Sequence, residues 1–161
     1  MGRASLKSAS DNRSAVKQKR PLWQCPECGQ RFVTRHLSHS CGSHLIDEHF
    51  AGKAPEVRRL FDMLLREARR SGPVHVYAQK TRIVFQTRGR FVAITPRRQY
   101  LGGHLWLKRP RPHPLVHRIE SLADRDFIHN FRLTRREEMD DRFRELLHEA
   151  YLVGRQEFDA G

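Results

Sequence analysis

Apolar residues recur at helical spacing in two places along the chain and alternate in the stretch between them. Val57, Leu60, Phe61, Leu64 and Ala68 fall at i, i+3, i+4, i+7 and i+11, behind a proline, Pro55, that a helix tolerates in its first turn. Arg58, Arg59, Arg66, Arg69 and Arg70 fill the other side of that stripe, and Gly72-Pro73 predicts where the helix stops. The period then shortens. Residues 74–77, 82–86, 91–95 and 100–108 are short β-rich runs parted by turns at Gln79-Lys80, Arg88-Gly89 and Pro96-Arg97-Arg98. A proline-punctuated loop, 109–114, cannot join a ladder. A short helical turn is expected over residues 121–124, and the alternation of residues 127–133 predicts a fifth strand. Thr134-x-x-Glu137 reads as a capping box for a closing helix, with Met139, Phe143, Leu146, Leu147, Ala150 and Tyr151 as its core stripe. The pattern predicts an α+β domain: a helix, a four-strand antiparallel meander, a fifth strand and a C-terminal helix, with the helices on one sheet face. No internal repeat is visible.

Ahead of that domain the hydrophobic signal is thin. Residues 1–20 hold six basic side chains against a single Asp and little to bury, which predicts a disordered basic arm. Residues 21–45 read as a small metal-binding knuckle, 46–154 as the α+β domain and 155–161 as a tail. No run approaches the roughly 20 apolar residues a membrane span needs, and the N-terminus lacks the apolar core of a secretory signal.

Cysteine usage explains how so polar a segment can fold. All three cysteines lie in one window, as Cys25-Pro26-Glu27-Cys28-Gly29 followed by His39-Ser40-Cys41, and the rest of the chain has none. This is the spacing of a tetrahedral Zn²⁺ site: a tight turn supplies two thiolates and the returning segment supplies two more ligands. Cys25, Cys28, His39 and Cys41 form the expected set, with His36 or His44 as substitutes for the fourth position. Three thiolates and an imidazole leave no open position, so the metal would fold the knuckle and carry out no reaction. Trp23 is expected to pack over it. An odd cysteine count with metal-like spacing points to a reducing cytoplasm.

Charge then changes the functional picture. The formal net charge is +13 and the isoelectric point near 10.8, values that favour a polyanionic partner. From Lys80 to Arg118 there are ten Lys or Arg residues and no Asp or Glu, whereas the closing helix region carries Glu137, Glu138, Asp140, Asp141, Glu145 and Glu149. If Leu101, Leu105 and Leu107 face the core, strand alternation turns Tyr100, His104, Trp106 and Lys108 the other way. Aromatics among cations on a sheet suit stacking on bases and contact with phosphates. Lys80, Arg82, Arg90, Arg97, Arg98, Trp106, Lys108 and His129 are therefore the candidate contacts to nucleic acid or another anion. With no second finger and no recognition helix, single-stranded or structured nucleic acid fits better than a duplex read by sequence.

Two other readings compete. Lys80, Arg82, Arg90 and His129 could converge on a phosphate or carboxylate in a small-ligand pocket between sheet and helices, with or without catalysis. The knuckle could instead serve as a protein-interaction adaptor. No Gly-x-Ser-x-Gly, Walker loop or His-Glu-x-x-His is present. Glu120, Asp124 and Asp126 make a poor nuclease cluster without a lysine on adjacent core strands, so a binding protein is the more economical reading than an enzyme.

The segments Cys25-Pro26-Glu27-Cys28-Gly29, His39-Ser40-Cys41-Gly42 and Glu48-His49-Phe50-Ala51-Gly52-Lys53 together resemble a group of uncharacterised bacterial proteins. In these a small zinc-finger-like knuckle precedes a domain of unknown function. That domain is similar to this chain from about residue 49 to 154, through Gly72-Pro73, Lys80-Thr81-Arg82-Ile83, Arg90-Phe91, His113-Pro114-Leu115-Val116, Asp126-Phe127-Ile128-His129 and Glu149-Ala150-Tyr151. The same domain type is found appended to larger bacterial proteins, some related to restriction systems. The resemblance implies an α+β fold and a cytoplasmic bacterial setting, with no reaction attached. It also favours His39 and Cys41 over His36 and His44 as ligands and marks His49 as a further candidate.

Overall fold

A computed structural model describes residues 19–39, 41–42 and 44–158. Most of the expected basic arm, residues 1–18, and part of the expected tail, residues 159–161, lie outside the described residues. Helix α1 spans Pro55–Arg69, with Pro55 in its first turn and Val57, Leu60, Phe61, Leu64 and Ala68 all buried, so the apolar stripe predicted from spacing is the face that packs. A 3-10 turn at Ile46–Phe50 leads into it and sets Phe50 against Phe61, ring centroids 5.1 Å apart. Its stop is tied to the other helix. Gly72 has a φ of 142°, and any Cβ there would meet the Tyr151 hydroxyl, which donates to the Pro73 carbonyl at 3.2 Å.

Six antiparallel strands follow α1: β3 (His75–Ala78), β4 (Ile83–Gln86), β5 (Arg90–Pro96), β6 (Leu101–Leu107), β7 (Val116–Ala123) and β8 (Asp126–Leu133). Their order across the sheet is β3-β4-β5-β6-β8-β7. The first four form the expected meander. Residues 121–124, expected as a helical turn, are instead the end of β7 and the start of its tight turn into β8. This strand escaped the hydrophobic pattern for a physical reason. It is the outer strand of the sheet, paired only to β8 and mostly exposed, so His117, Arg118, Glu120 and Ser121 need no apolar partners. Register shifts near His117 and Leu122 bend the edge.

The closing helix also starts later than its predicted capping box. The Glu138 carboxylate, not that of Glu137, accepts the N–H groups of Thr134 and Arg135 at 2.7 and 2.9 Å, and this closes only a 3-10 turn at Arg136–Glu138. Helix α2 (Asp141–Gly154) begins behind Asp140, whose carboxylate accepts from Phe143 N at 2.8 Å. Both helices cover the same sheet face. Phe143, Leu146, Leu147, Ala150 and Tyr151 of α2 and the α1 stripe pack with Ile83, Phe85, Val92, Ile94, Leu101, Leu105, Leu107, Phe131 and Leu133. The residues alternating with these build a second, outer face. Pairing register places Tyr77, Val84, Ala93, His104 and Asn130 in one row across it, and Gly102 and Arg132 in the next.

The N-terminal segment sits on part of that outer face. A two-strand hairpin, β1 (Trp23–Gln24) and β2 (Arg31–Phe32), carries the cysteine turn between its strands. Gln86 donates to the Arg31 carbonyl, and the Arg90 guanidinium lies 5.2 Å from the centroid of the Phe32 ring. Phe32 and Val84 are both buried, although neither faces the helices. Near the other end of the described chain, the Lys19 ammonium reaches the Arg155 carbonyl and the Glu157 carboxylate at 2.8 and 3.0 Å. No helix among the described residues is long and apolar enough to cross a membrane.

Candidate functional site

Local backbone forces, before any metal, gather the cysteines. Gly29 N donates to Cys25 O and Cys25 N to Gln30 O, both at 2.8 Å, and Gly29 takes a φ of 74° that closes the turn. The turn holds Cys25 and Cys28 side by side, and the returning segment brings His39 and Cys41 to them, so that each of the four offers one ligand atom, all within 4.8 Å of one another. The Sγ atoms of Cys25 and Cys41 are 3.7 Å apart, and His39 Nε2 lies 3.1 Å from both Cys28 Sγ and Cys41 Sγ. A tetrahedron with metal–sulfur bonds of about 2.3 Å has sulfur–sulfur edges of about 3.8 Å, so the donor set suits a tetrahedral ion. The His39 ring is held in a ligating orientation. Its Nδ1 donates to the Leu37 carbonyl at 2.6 Å, which leaves Nε2 as the free lone pair.

Electrostatics argue the same way. Burial resists ionisation of Cys25, yet the backbone N–H groups of Cys28 and Glu27 and the neighbouring thiols bring it down to about 7. Cys41 is pushed up to about 11 by burial and by the sulfurs of Cys25 and Cys28. Thiolates this close repel one another, and a dication among them would offset that repulsion. The alternative ligands stand outside the cluster. His36 packs on Trp23 with ring centroids 5.0 Å apart, and the His49 Nε2 is 2.8 Å from the Gln79 carbonyl. His44 lines the cleft beside Cys41 without joining the cluster. Trp23 packs over the knuckle as expected, against Phe32, His36 and His39.

The ten cations between Lys80 and Arg118 divide sharply once their partners are seen. Arg88 donates to Gln156 Oε1 and the Arg20 carbonyl, and Arg90 to the Tyr77 hydroxyl at 3.0 Å. Lys108 pairs with Asp126, Arg118 with Glu120, and Arg109 and Arg111 both bind the buried Glu149 carboxylate. The acidic closing helix thus neutralises the proline loop. Lys80, Arg82, Arg97 and Arg98 are left, exposed and without an ion pair among the described residues. All four stand at one end of the sheet. The turn before β4 and the turn after β5 adjoin because Ile83 pairs with Ile94.

Of the other expected contacts, Trp106 is half-buried on the outer face, its ring 4.5 Å from that of His104 and nearly perpendicular to it. His129 belongs to the opposite side. It is buried in the core and accepts the Arg111 N–H at 2.8 Å, and burial lowers its pKa. Lys80 and Arg82 at the sheet end, Arg90 under the knuckle and His129 in the core therefore occupy three separate places and do not converge on one pocket. Beside the unpaired cations there is, instead, a concavity of about 300 Å³ lined by Arg97, Tyr100, Gly102, His104, Asn130 and Arg132, among others. Arg132 lies over the Tyr100 ring, 4.3 Å from its centroid. Burial, then the Arg82 charge, push His104 down to about 4, so its ring is neutral at physiological pH. Arg132 and Asn130 went unnoticed in the sequence. The signal that could have found them is alternation, since they flank Phe131 on a strand whose other face is core.

Residues 46–154 match a family described as a domain of unknown function (DUF5655), and the chain belongs to that family. Searches of curated proteins and of solved structures return no match.

Proposed function

We propose that this DUF5655 protein is a zinc-stabilised binding protein that holds single-stranded or structured nucleic acid on the uncovered part of its outer sheet face. Zinc is the ion that a closed set of three thiolates and one imidazole suits best, with tetrahedral geometry and no redox demand. The ion serves to hold the knuckle on the sheet, and 21–45 and 46–154 act as two parts of one binding unit.

One observation carries the polyanion reading. Lys80, Arg82, Arg97 and Arg98 are members of a ten-cation stretch that form no ion pair among the described residues, and they share one end of the sheet. Unpaired cations placed together raise the local positive potential, which internal ion pairs would cancel. Tyr100 and Trp106, on the same face, offer rings to unpaired bases. The test is binding of a labelled single-stranded oligonucleotide across a salt series. Four phosphate contacts on a single strand give a log–log slope of about −3. Arg97→Ala and Arg98→Ala should each reduce that slope by about one contact. Salt-independent binding, or tighter binding to one duplex sequence than to single strands, would overturn the proposal.

A further inference from the structure

The unpaired cations and the neighbouring concavity need not serve the same part of a ligand. We infer that the concavity between the β5–β6 turn and strand β8 is a site for a phosphomonoester: the terminal phosphate of a nucleic-acid strand or the phosphate of a free mononucleotide. The inference rests on the nucleic-acid reading above and names what that face would recognise at a strand end.

Strand register creates the concavity. On the outer face, Thr95 of β5, Gly102 of β6 and Arg132 of β8 stand side by side. The middle position has no side chain, so two longer neighbours rise over a bare backbone floor. A Cβ added at Gly102 would lie 3.2 Å from the Thr95 carbonyl, 3.5 Å from Tyr100 Cε2 and 3.8 Å from Arg97 Cγ. The space is therefore bounded closely by the turn that carries Arg97 and Tyr100. Its volume, about 300 Å³, stands at the lower end of the range for small-ligand sites. That holds one phosphate with its sugar and is too little for a run of stacked bases.

The chemistry around this space is cationic and donor-rich. Arg97 and Arg132 both line it, and neither forms an ion pair among the described residues. The Tyr100 ring braces the Arg132 guanidinium from one side, which limits the directions its donors can take. His104 also lines the space, and its Nε2 is buried with no hydrogen-bond partner among the described residues. Glu120 is the acid whose charge reaches His104, and it is already bound to Arg118 at 2.7 Å and to Asn130 at 3.1 Å. A phosphodiester carries one negative charge. A phosphomonoester carries nearly two, with three strong acceptor oxygens, and gains more from two arginines that line one space. Lys80, Arg82 and Arg98 outside the concavity remain for the diester backbone.

The full-length, zinc-loaded protein would be titrated with one single-stranded sequence made unphosphorylated, 5′-phosphorylated and 3′-phosphorylated. In parallel, a nucleoside 5′-monophosphate and the matching nucleoside would be compared by calorimetry. One terminal phosphate should tighten strand binding about tenfold. Arg97→Gln and Arg132→Gln should abolish that gain. Gly102→Val should abolish it too, with every charge retained. Gly102→Val crowds the Thr95 carbonyl, so Arg97→Gln, in an exposed turn, is the variant that keeps the test valid if the first fails to fold. Strands that bind equally with and without a terminal phosphate, with no mononucleotide binding, would overturn the site while leaving the strand-binding reading intact. A mononucleotide that binds while no strand does would uphold the site with a free nucleotide as its source, and the strand-binding reading would fall. Silence in both arms would remove both.

Discussion

Arg90 and Arg97 start and follow the same strand of the same sheet, yet they stand in opposite situations. Arg90 lies beneath the knuckle, donates to Tyr77 and covers Phe32. Arg97 lies in the open turn and lines the concavity, and it forms no ion pair among the described residues. The outer face is divided accordingly. Over β3, β4 and the start of β5 it is an interior, closed by the hairpin that carries the Cys/His cluster; over the far ends of β5, β6 and β8 it meets solvent. The lesson is that a run of ten cations is not in itself a binding surface. What matters is which of them the fold has already used.

Removing the metal should disturb this division most. Apparent binding energies of about 10–16 kcal/mol hold structural zinc in small folded modules, and under the proposal above the same energy would also hold the hairpin on the sheet. Chelation, or Cys25→Ser, is expected to release Trp23 and unfold the knuckle, exposing Phe32 and Val84, while α1, α2 and the six-strand sheet stay folded. Tryptophan fluorescence and hydrogen exchange would report it. Metal analysis giving well under one equivalent, unchanged in Cys25→Ser, would show that no ion holds the hairpin.

The two arginines supply the next test. Arg97→Ala should weaken single-strand binding by about 1.5–3 kcal/mol, as expected for a lost charged hydrogen bond, with no change in thermal stability. Arg90→Ala should do the reverse, lowering the melting temperature and leaving binding intact. If Arg90→Ala impaired binding as much as Arg97→Ala, the boundary drawn at the knuckle would be wrong.

The helix-covered side offers a control unrelated to ligand. Asp140 caps α2 through Phe143 N and accepts from His113 Nε2 at 2.8 Å, and these two contacts hold its pKa below the usual carboxylate range. A depressed carboxylate pKa contributes stability that is complete above its unfolded value, near 4, and is lost as pH falls through the lower folded value. Asp140→Ala should cost about 1 kcal/mol at neutral pH, as caps do, and should flatten the acid limb of the stability curve below about pH 4. Strand binding at pH 7 should not change. The smallest effect is expected at Trp106, one row from the concavity. Trp106→Ala should weaken strand binding by about 1 kcal/mol, the low end for a stacked base. Equal affinity in a folded variant would identify Trp106 as a packing residue for His104.

Sequence reading went furthest where burial is one-sided. The α1 stripe and the four-strand meander follow from spacing, because a helix face and a pleat each impose a period. Strand β7 did not, since an outer strand in water imposes none. Spacing also pointed to Cys25, Cys28, His39 and Cys41 while leaving His36 and His44 open, and the fold gathers that set. The start of α2 was misplaced because Thr134-x-x-Glu137 carries the capping-box pattern, whereas Asp140 supplies the N-cap through Phe143 N and the residues before it form only a 3-10 turn. The concavity was invisible for another reason. Gly102, Arg97 and Arg132 become neighbours only through the register of three strands, and Lys108, Arg109 and Arg111 were indistinguishable from Arg97 until Asp126 and Glu149 claimed them.

The contact of Lys19 with Arg155 and Glu157 has a consequence for how the fold can be joined to other polypeptides. It places the two ends of the described chain side by side, next to the turn of residues 87–89, where Arg88 holds Arg20 and Gln156. That turn and the one holding Arg97 and Arg98 lie at opposite ends of β5. Flanking segments therefore start from the far end of the sheet, away from the cationic end. A host protein could carry residues 19–158 within a single surface loop, because the two ends of the described chain are adjacent, and permutants that join those ends and open at the exposed Asp124-Arg125 turn should fold.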